Sequence, residues 1–318
     1  MLSTFWSRTF GLRVPIVNAP MGGVAGGKLA AAVSGAGGLG MIGVGSAGSP
    51  KTIETEACHP SEAGVNFGIG LIDWAVRADP ALLEAAIAAQ PVLVSVSFGD
   101  DWSWVDQVRA AGIITATQVY DPVMARRAAG AGVEVLVARG AEGGGHGQPG
   151  IGTLALLEAV LDAVDVPVLA AGGIAAGRGL AAVLAAGGSG VWLGTAFAAC
   201  PESLISDRAR LALLRASGAD TVVTRLFDVA LGYPWPPEYP ERVLRNDFTD
   251  RWSGHEAQVA LDHDAHAALA AGIAAGDVAL APVNAGQGVG SLVESHSAAH
   301  VIEQLCLDAS SLLRSWPH

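Results

Sequence analysis

The sequence predicts a (β/α)8 barrel carrying an inserted cap subdomain. Three features point there. Short apolar runs alternate with alanine-rich stretches at helical spacing, eight such runs precede residue 200, and the runs are continuously apolar. Eight parallel strands close this kind of barrel, and continuous apolarity fits strands buried on both faces. The predicted strands are Ile16–Ala19, Leu39–Ile42, Val65–Ile69, Val92–Ser95, Ile114–Thr117, Val133–Val137, Val168–Ala170 and Gly190–Leu193. Helical spacing covers Pro80–Ala89, Pro122–Ala129, Thr153–Ala163 and Gly177–Ala186, while Gly45 to Ala63 shows no clear helix.

A barrel of this class takes about 250 residues. The chain has 318 residues, which leaves room for a subdomain. The texture changes after the eighth strand: charges become denser, and Tyr233-Pro-Trp-Pro-Pro-Glu-Tyr-Pro240 forms a proline-aromatic cluster. The expected division is a barrel over residues 1–202 and 278–318 with a cap over 203–277. Near the end, Ala298, Val301, Ile302, Leu305, Ala309 and Leu312 share one helical face, as a helix packed on the barrel requires.

Bulk composition excludes several classes. Hydrophobic residues make up 51% and charged residues 15%, which argues against disorder. A net charge of −12 argues against a nucleic-acid partner. Cys58, Cys200 and Cys306 form no disulfide or zinc pattern, and Cys200 reads as buried packing; a reducing cytoplasm is the expected location. The N-terminus lacks the pattern of a secretory signal. Gly179 to Cys200 carries no charge, but its internal glycine break reads as helix, turn and buried strand rather than a membrane span.

Chemistry concentrates in the glycine loops. Val135-Leu-Val-Ala-Arg-Gly-Ala-Glu-Gly-Gly-Gly-His146-Gly is an apolar strand that breaks into glycines and presents one histidine. Gly140, Gly144 and Gly145 leave backbone bare beside His146, room for a flat ligand. The seventh predicted strand ends in Ala170-Ala-Gly-Gly-Ile-Ala and the eighth in Leu193-Gly-Thr-Ala-Phe. Loops in those positions often bind phosphate, so Gly172, Gly173, Gly194 and the Thr195 hydroxyl are candidates. Ala19 and Met21 after the first strand, Asn66 in the third and Gln118 after the fifth could read the polar edge of a planar heterocycle. A phosphorylated ring cofactor such as FMN fits these parts, and so does a phosphorylated sugar.

Seven pieces together resemble the nitronate monooxygenase family, formerly called 2-nitropropane dioxygenases. They are Pro15-Ile-Val-Asn-Ala-Pro-Met-Gly-Gly, Val65-Asn-Phe-Gly, Gly140-Ala-Glu-Gly-Gly-Gly-His-Gly, Ala171-Gly-Gly-Ile, Gly194-Thr-Ala-Phe, Arg242-Val-Leu-Arg-Asn and Ala285-Gly-Gln-Gly-Val-Gly. The resemblance covers nearly the whole chain. It departs at Gly143, where the family usually carries alanine, and in the absence of any lysine after Lys51. It implies FMN, His146 as the active-site histidine, phosphate contacts from Gly172, Gly173, Gly194 and Thr195, and Gln287 and Gly288 beside the cofactor. It also implies oxidation of nitronates by molecular oxygen to a carbonyl compound and nitrite. A neutral imidazole, with an ordinary pKa near 6.5, can take the α-proton of a nitroalkane. Related flavin enzymes instead pass electrons from NADH to a quinone or an enoyl thioester, and a non-catalytic flavin- or phosphate-ligand-binding barrel is a third reading.

Other features read plainly. His263 and His266 lie in open, charged surroundings, and His296 and His300 lack a third ligand, so no metal site is expected. Tyr233 and Trp235 are the cap residues best placed by sequence to overhang a bound flavin. The substrate is expected to be a small molecule, and oligomeric state is not encoded in any motif.

Overall fold

A computed structural model describes residues 2–315; residues 1 and 316–318 of the expected barrel lie outside the described residues. Among the described residues, eleven strands occur in chain order: β1 Ile16–Asn18, β2 Gly40–Gly43, β3 Phe67–Ile72, β4 Leu93–Ser97, β5 Ile114–Val119, β6 Val135–Arg139, β7 Gly145–His146, β8 Val168–Ala171, β9 Gly190–Leu193, β10 Thr221–Thr224 and β11 Glu241–Leu244. Eight of them form one parallel sheet in the order β1-β9-β8-β6-β5-β4-β3-β2. The sheet closes where β1 meets β2 through the Val17–Leu39 bridge. Asn18 reinforces that short seam. Fully buried, it donates to the Ala19 and Met41 carbonyls and accepts from Met41 N–H, so its amide takes the place of ladder bonds. The architecture is the (β/α)8 barrel the sequence predicts.

Two cores follow from burial on both strand faces. Inside the barrel, Val17, Leu39, Met41, Leu93, Ala116, Val137, Leu169 and Trp192 pack together, with Trp6 from the N-terminal helix among them. The outer core lies between strands and helices. Helix Ala298–Ser315 belongs to it through Ala298, Ile302, Leu305 and Ala309. Of the expected face, Val301 is partly buried and Leu312 is 39% exposed.

Two expectations are corrected. Helix Pro50–Glu62 occupies the stretch that shows no helical pattern. Ser49 caps it by accepting from Thr52 N–H, and Pro50 enters at its first turn. Only Ile53, Ala57 and Pro60 are buried, a stripe too narrow to stand out in the sequence. The third strand runs later than expected, over Phe67–Ile72, because Gly70 belongs to it: a β-carbon there would meet the Pro20 ring at 2.2 Å, as one on Gly68 would meet Met41 Sδ. Asn66 therefore precedes the strand, is exposed, and sits at its N-terminal end. It cannot line a site at the C-terminal mouth.

Beyond β9, β10 and β11 pair antiparallel, and β7 from the glycine loop adds as a third strand. A separate apolar core forms here from Leu226, Phe227, Val243, Phe248, Val259 and Leu269. Residues 278–292 also lie against this part of the chain: Val283, Ala285 and Val289 pack with Ala198, Leu213 and Leu244.

Candidate active site

The glycine loop is built around a buried cation. Arg139 ends β6 and is 6% exposed. Its guanidinium donates to the carbonyls of Gly140, Gly143, Gly144 and Gly145 at 3.0–3.4 Å. Burial pushes its pKa below the usual arginine value. The glycines wrap this group: a β-carbon on Gly147 would lie 2.3 Å from its Cζ, and one on Gly143 2.8 Å from its Nε. Arg242 clamps the same loop, donating through Nε and Nη2 to the Ala141 carbonyl and through Nη1 to Thr221 Oγ1. Much of the loop's glycine content thus serves its own folding.

This scaffold delivers His146 to one place. As part of β7, His146 pairs with Glu241 of β11, and Gly145 pairs with Arg242. Helix Leu226–Leu231 brings Asp228, whose two carboxylate oxygens both lie 3.1 Å from His146 Nε2. The His146 side chain is 14% exposed and that of Asp228 4%. Glu241 is buried as well, and the donor atoms of all three lie within 4.8 Å of one another. Burial first, and the Asp228 charge second, raise the Glu241 pKa well above the ordinary carboxylate value. Three such donors could grip a cation, but His146 already turns Nε2 to Asp228. None of the acidic partners is visible in motif spacing; a lone aspartate inside Leu226-Phe-Asp-Val-Ala-Leu was the available signal.

An aromatic wall stands over the histidine. Trp235 stacks on the His146 ring with centroids 3.5 Å apart and planes 6° from parallel. Trp74, which follows β3, and Phe98, which follows β4, meet Trp235 edge-on at 5.7 and 5.0 Å. Tyr239 touches Phe98 and Tyr120, at the ends of β4 and β5. Trp235 Nε1 donates to Ser46 Oγ beyond β2. The proline-aromatic segment is thereby fastened across the C-terminal ends of several barrel strands. Of its two named aromatics, Trp235 is buried and Tyr233 is 41% exposed. Phe98 holds φ at +71°, rare for a bulky side chain and a form of strain found at functional sites.

A second cluster forms at β8 and β9. Gly172 and Gly173 have φ of +116° and +65°, a turn that side chains resist. The N–H groups of Gly172, Gly173, Gly194 and Thr195 make no backbone hydrogen bond among the described residues. Thr195 Oγ1 accepts from Gly286 N–H, which leaves its own proton to donate. Gly288 abuts the Gly173 carbonyl, Gln287 N–H donates to the Glu142 carbonyl, and Gly144 lies against Gly286. Unpaired donors on bare backbone fit a phosphate group. Met21 and Ala19 lie beside Gly194, within 3.4–3.9 Å of where its β-carbon would stand. Gln118 is the penultimate residue of β5, partly exposed, and its side-chain amide oxygen accepts from Tyr120 Oη at 3.3 Å. Gly140 differs: it is buried against Thr153, so its bareness serves helix packing rather than a ligand.

The remaining histidines stand apart. His266 Nε2 bonds the Val259 carbonyl, and the His296 and His300 rings lie 4.4 Å apart, tilted by 46°. A groove lined by Phe10, Ile87, Gln90 and Ile114 lies at the opposite barrel end and holds no titratable side chain.

The nitronate monooxygenase family profile matches residues 61–308. The chain belongs to the nitronate monooxygenase family. A nitronate monooxygenase of Paraburkholderia phytofirmans is 33% identical over 346 residues, covering 93% of this chain and 92% of that one. In Rhodococcus jostii, (3aS,4S,5R,7aS)-5-hydroxy-7a-methyl-1-oxo-octahydro-1H-indene-4-carboxyl-CoA dehydrogenase is 33% identical over 257 residues, covering 78% of this chain and 67% of that one. The structure of FabK from Thermotoga maritima superposes with a TM-score of 0.86 at 28% identity, covering 99% and 98% of the two chains. Membership in the nitronate monooxygenase family makes the protein a flavin-dependent oxidoreductase on a barrel scaffold. No helix among the described residues is long and apolar enough to cross a membrane.

Proposed function

We propose that this chain oxidises alkyl nitronates, and the nitroalkanes that give rise to them, with molecular oxygen to a carbonyl compound and nitrite, and that its flavin is FMN. The observation that carries the reading is His146. It stands on the two-residue strand β7 at the barrel mouth, under an aromatic wall, on the loop that runs beside the unpaired donors of β8 and β9.

Gly172, Gly173, Gly194 and Thr195 would hold the phosphate, with Gln287 and Gly288 alongside. Ala19, Met21, Gln118, Gly144 and Gly145 would border the ring. When bound, FMN supplies electron acceptance and oxygen chemistry. The chain's own contribution is to bind, orient and move one proton. A nitro group acidifies its α-carbon, and His146 takes that proton to give the nitronate. Residues 203–277 act as a cap on the barrel of residues 1–202 and 278–318, and Trp235 and Tyr239 exclude water from the reacting atoms.

Purified protein should be yellow, heat should release flavin monophosphate, and a nitronate should yield nitrite with oxygen uptake. A colourless protein that FMN cannot reconstitute would instead favour a phosphosugar enzyme or a non-catalytic binding protein. The second reading is hydride transfer from NADH to a quinone or an enoyl thioester. The likenesses to FabK and to the CoA-thioester dehydrogenase favour keeping it in view.

A further inference from the structure

Three acid–base groups from distant parts of the chain meet in one buried cluster. His146 comes from the glycine loop, Asp228 from helix Leu226–Leu231 and Glu241 from β11. Both oxygens of Asp228 face the same imidazole nitrogen at 3.1 Å. An ionised carboxylate can only accept, so a nitrogen held between its two oxygens must carry the hydrogen. Nδ1 makes no hydrogen bond among the described residues. Glu241 lies within 4.8 Å of both partners with no exposed path for a charge. Two buried carboxylates this close do not both ionise.

We propose that Asp228 is a positioning residue that keeps the proton of His146 on Nε2 and leaves the Nδ1 lone pair as the proton acceptor, with Glu241 beside them as an un-ionised acid. The cluster then carries one negative charge at rest. When Nδ1 takes a proton, the electron pair of the broken C–H bond stays with the substrate, the imidazole becomes a cation, and the cluster becomes neutral. Asp228 therefore stabilises the product of the proton transfer while fixing the ring. Trp235, stacked flat on the imidazole, opposes the ring turn that would put carbons where Nδ1 and Nε2 stand. Of the neighbouring cations, Arg242 is turned away to Ala141 and Thr221, so it does not neutralise Asp228 in place of the histidine.

The inference rests on His146 acting as the base, so its test has a readout independent of turnover. Nitrogen-15 NMR of the flavin-loaded protein reports the imidazole tautomer, with the His146 signal assigned by its loss in His146→Ala. Wild type should show the Nε2–H form, and Asp228→Asn should shift the ring toward Nδ1–H. An Nδ1–H ring in wild type, or a ring unchanged in Asp228→Asn, overturns the proposal. Infrared difference spectra should show an un-ionised carboxylic acid band that Glu241→Gln removes; an ionised Glu241 contradicts its assigned state. In kinetics, Asp228→Asn should lower kcat/KM for neutral nitroalkanes about 10²–10⁴-fold, mostly in kcat, and spare preformed nitronates. Equal losses on both forms also count against it. If wild type turns over neither form but shows the Nε2–H ring, nitronate oxidation fails while the positioning role stands.

Discussion

In the proposed reaction His146 is the base, and its removal separates two roles. His146→Ala should lower kcat/KM for neutral nitroalkanes by roughly 10²–10⁴-fold, the range for a general base. Preformed nitronates have already lost the proton and should suffer less. The flavin should stay bound, because the unpaired N–H groups lie on other loops. A variant that loses its flavin would make the histidine structural. Glu241 gives a stability prediction of definite sign. Its folded pKa lies well above the ordinary 4.5, so above that pH the native state holds a proton that the unfolded state releases. Stability must then fall as pH rises from about 4.5 toward the folded pKa. Glu241→Gln should flatten that part of the curve and melt higher than wild type at neutral pH; chemical denaturation across pH checks this. A steeper fall in the variant would contradict it. His146 was legible because glycines flank it. Asp228 and Glu241 were not, since the helix Leu226–Leu231 and the antiparallel pairing of β7 with β11, both remote in sequence, bring them there. Arg139 hid for another reason: the glycines that make room for it read equally well as room for a ligand.

At the scale of elements, the segment Tyr233–Pro240 does the most with the least regular structure. Trp235 joins it to the histidine, to Trp74, to Phe98 and to Ser46. Trp235→Ala should cost about 3–5 kcal/mol, the usual loss for a buried tryptophan. Limited proteolysis should then cut within residues 232–240 faster than in wild type. Unchanged melting with an unchanged digestion pattern would mean that the wall is incidental. Strand positions were readable wherever apolar runs were unbroken, as at Gly190–Leu193, which the structure reproduces residue for residue. The third strand was misplaced because Gly70 looks like a strand end, yet it lies inside the strand to admit Pro20. The same error carried Asn66 to the wrong end of the barrel. Helix Pro50–Glu62 was missed because capping, rather than a broad apolar face, defines it.

For the molecule as a whole, barrel topology follows from the count and character of eight buried strands, and that much the sequence dictates. The extra sheet does not follow, because one of its strands is two residues long and borrowed from a barrel loop. That sharing couples the part of the chain after β9 to the histidine it holds. The central claim is that the site accepts electrons from nitronates. Anaerobic rapid mixing of the flavin-loaded protein tests it most directly. A preformed alkyl nitronate should bleach the flavin absorbance within the turnover time, and NADH should leave it unchanged. Rapid bleaching by NADH with no response to nitronates would contradict the account and assign the chain to the reductases.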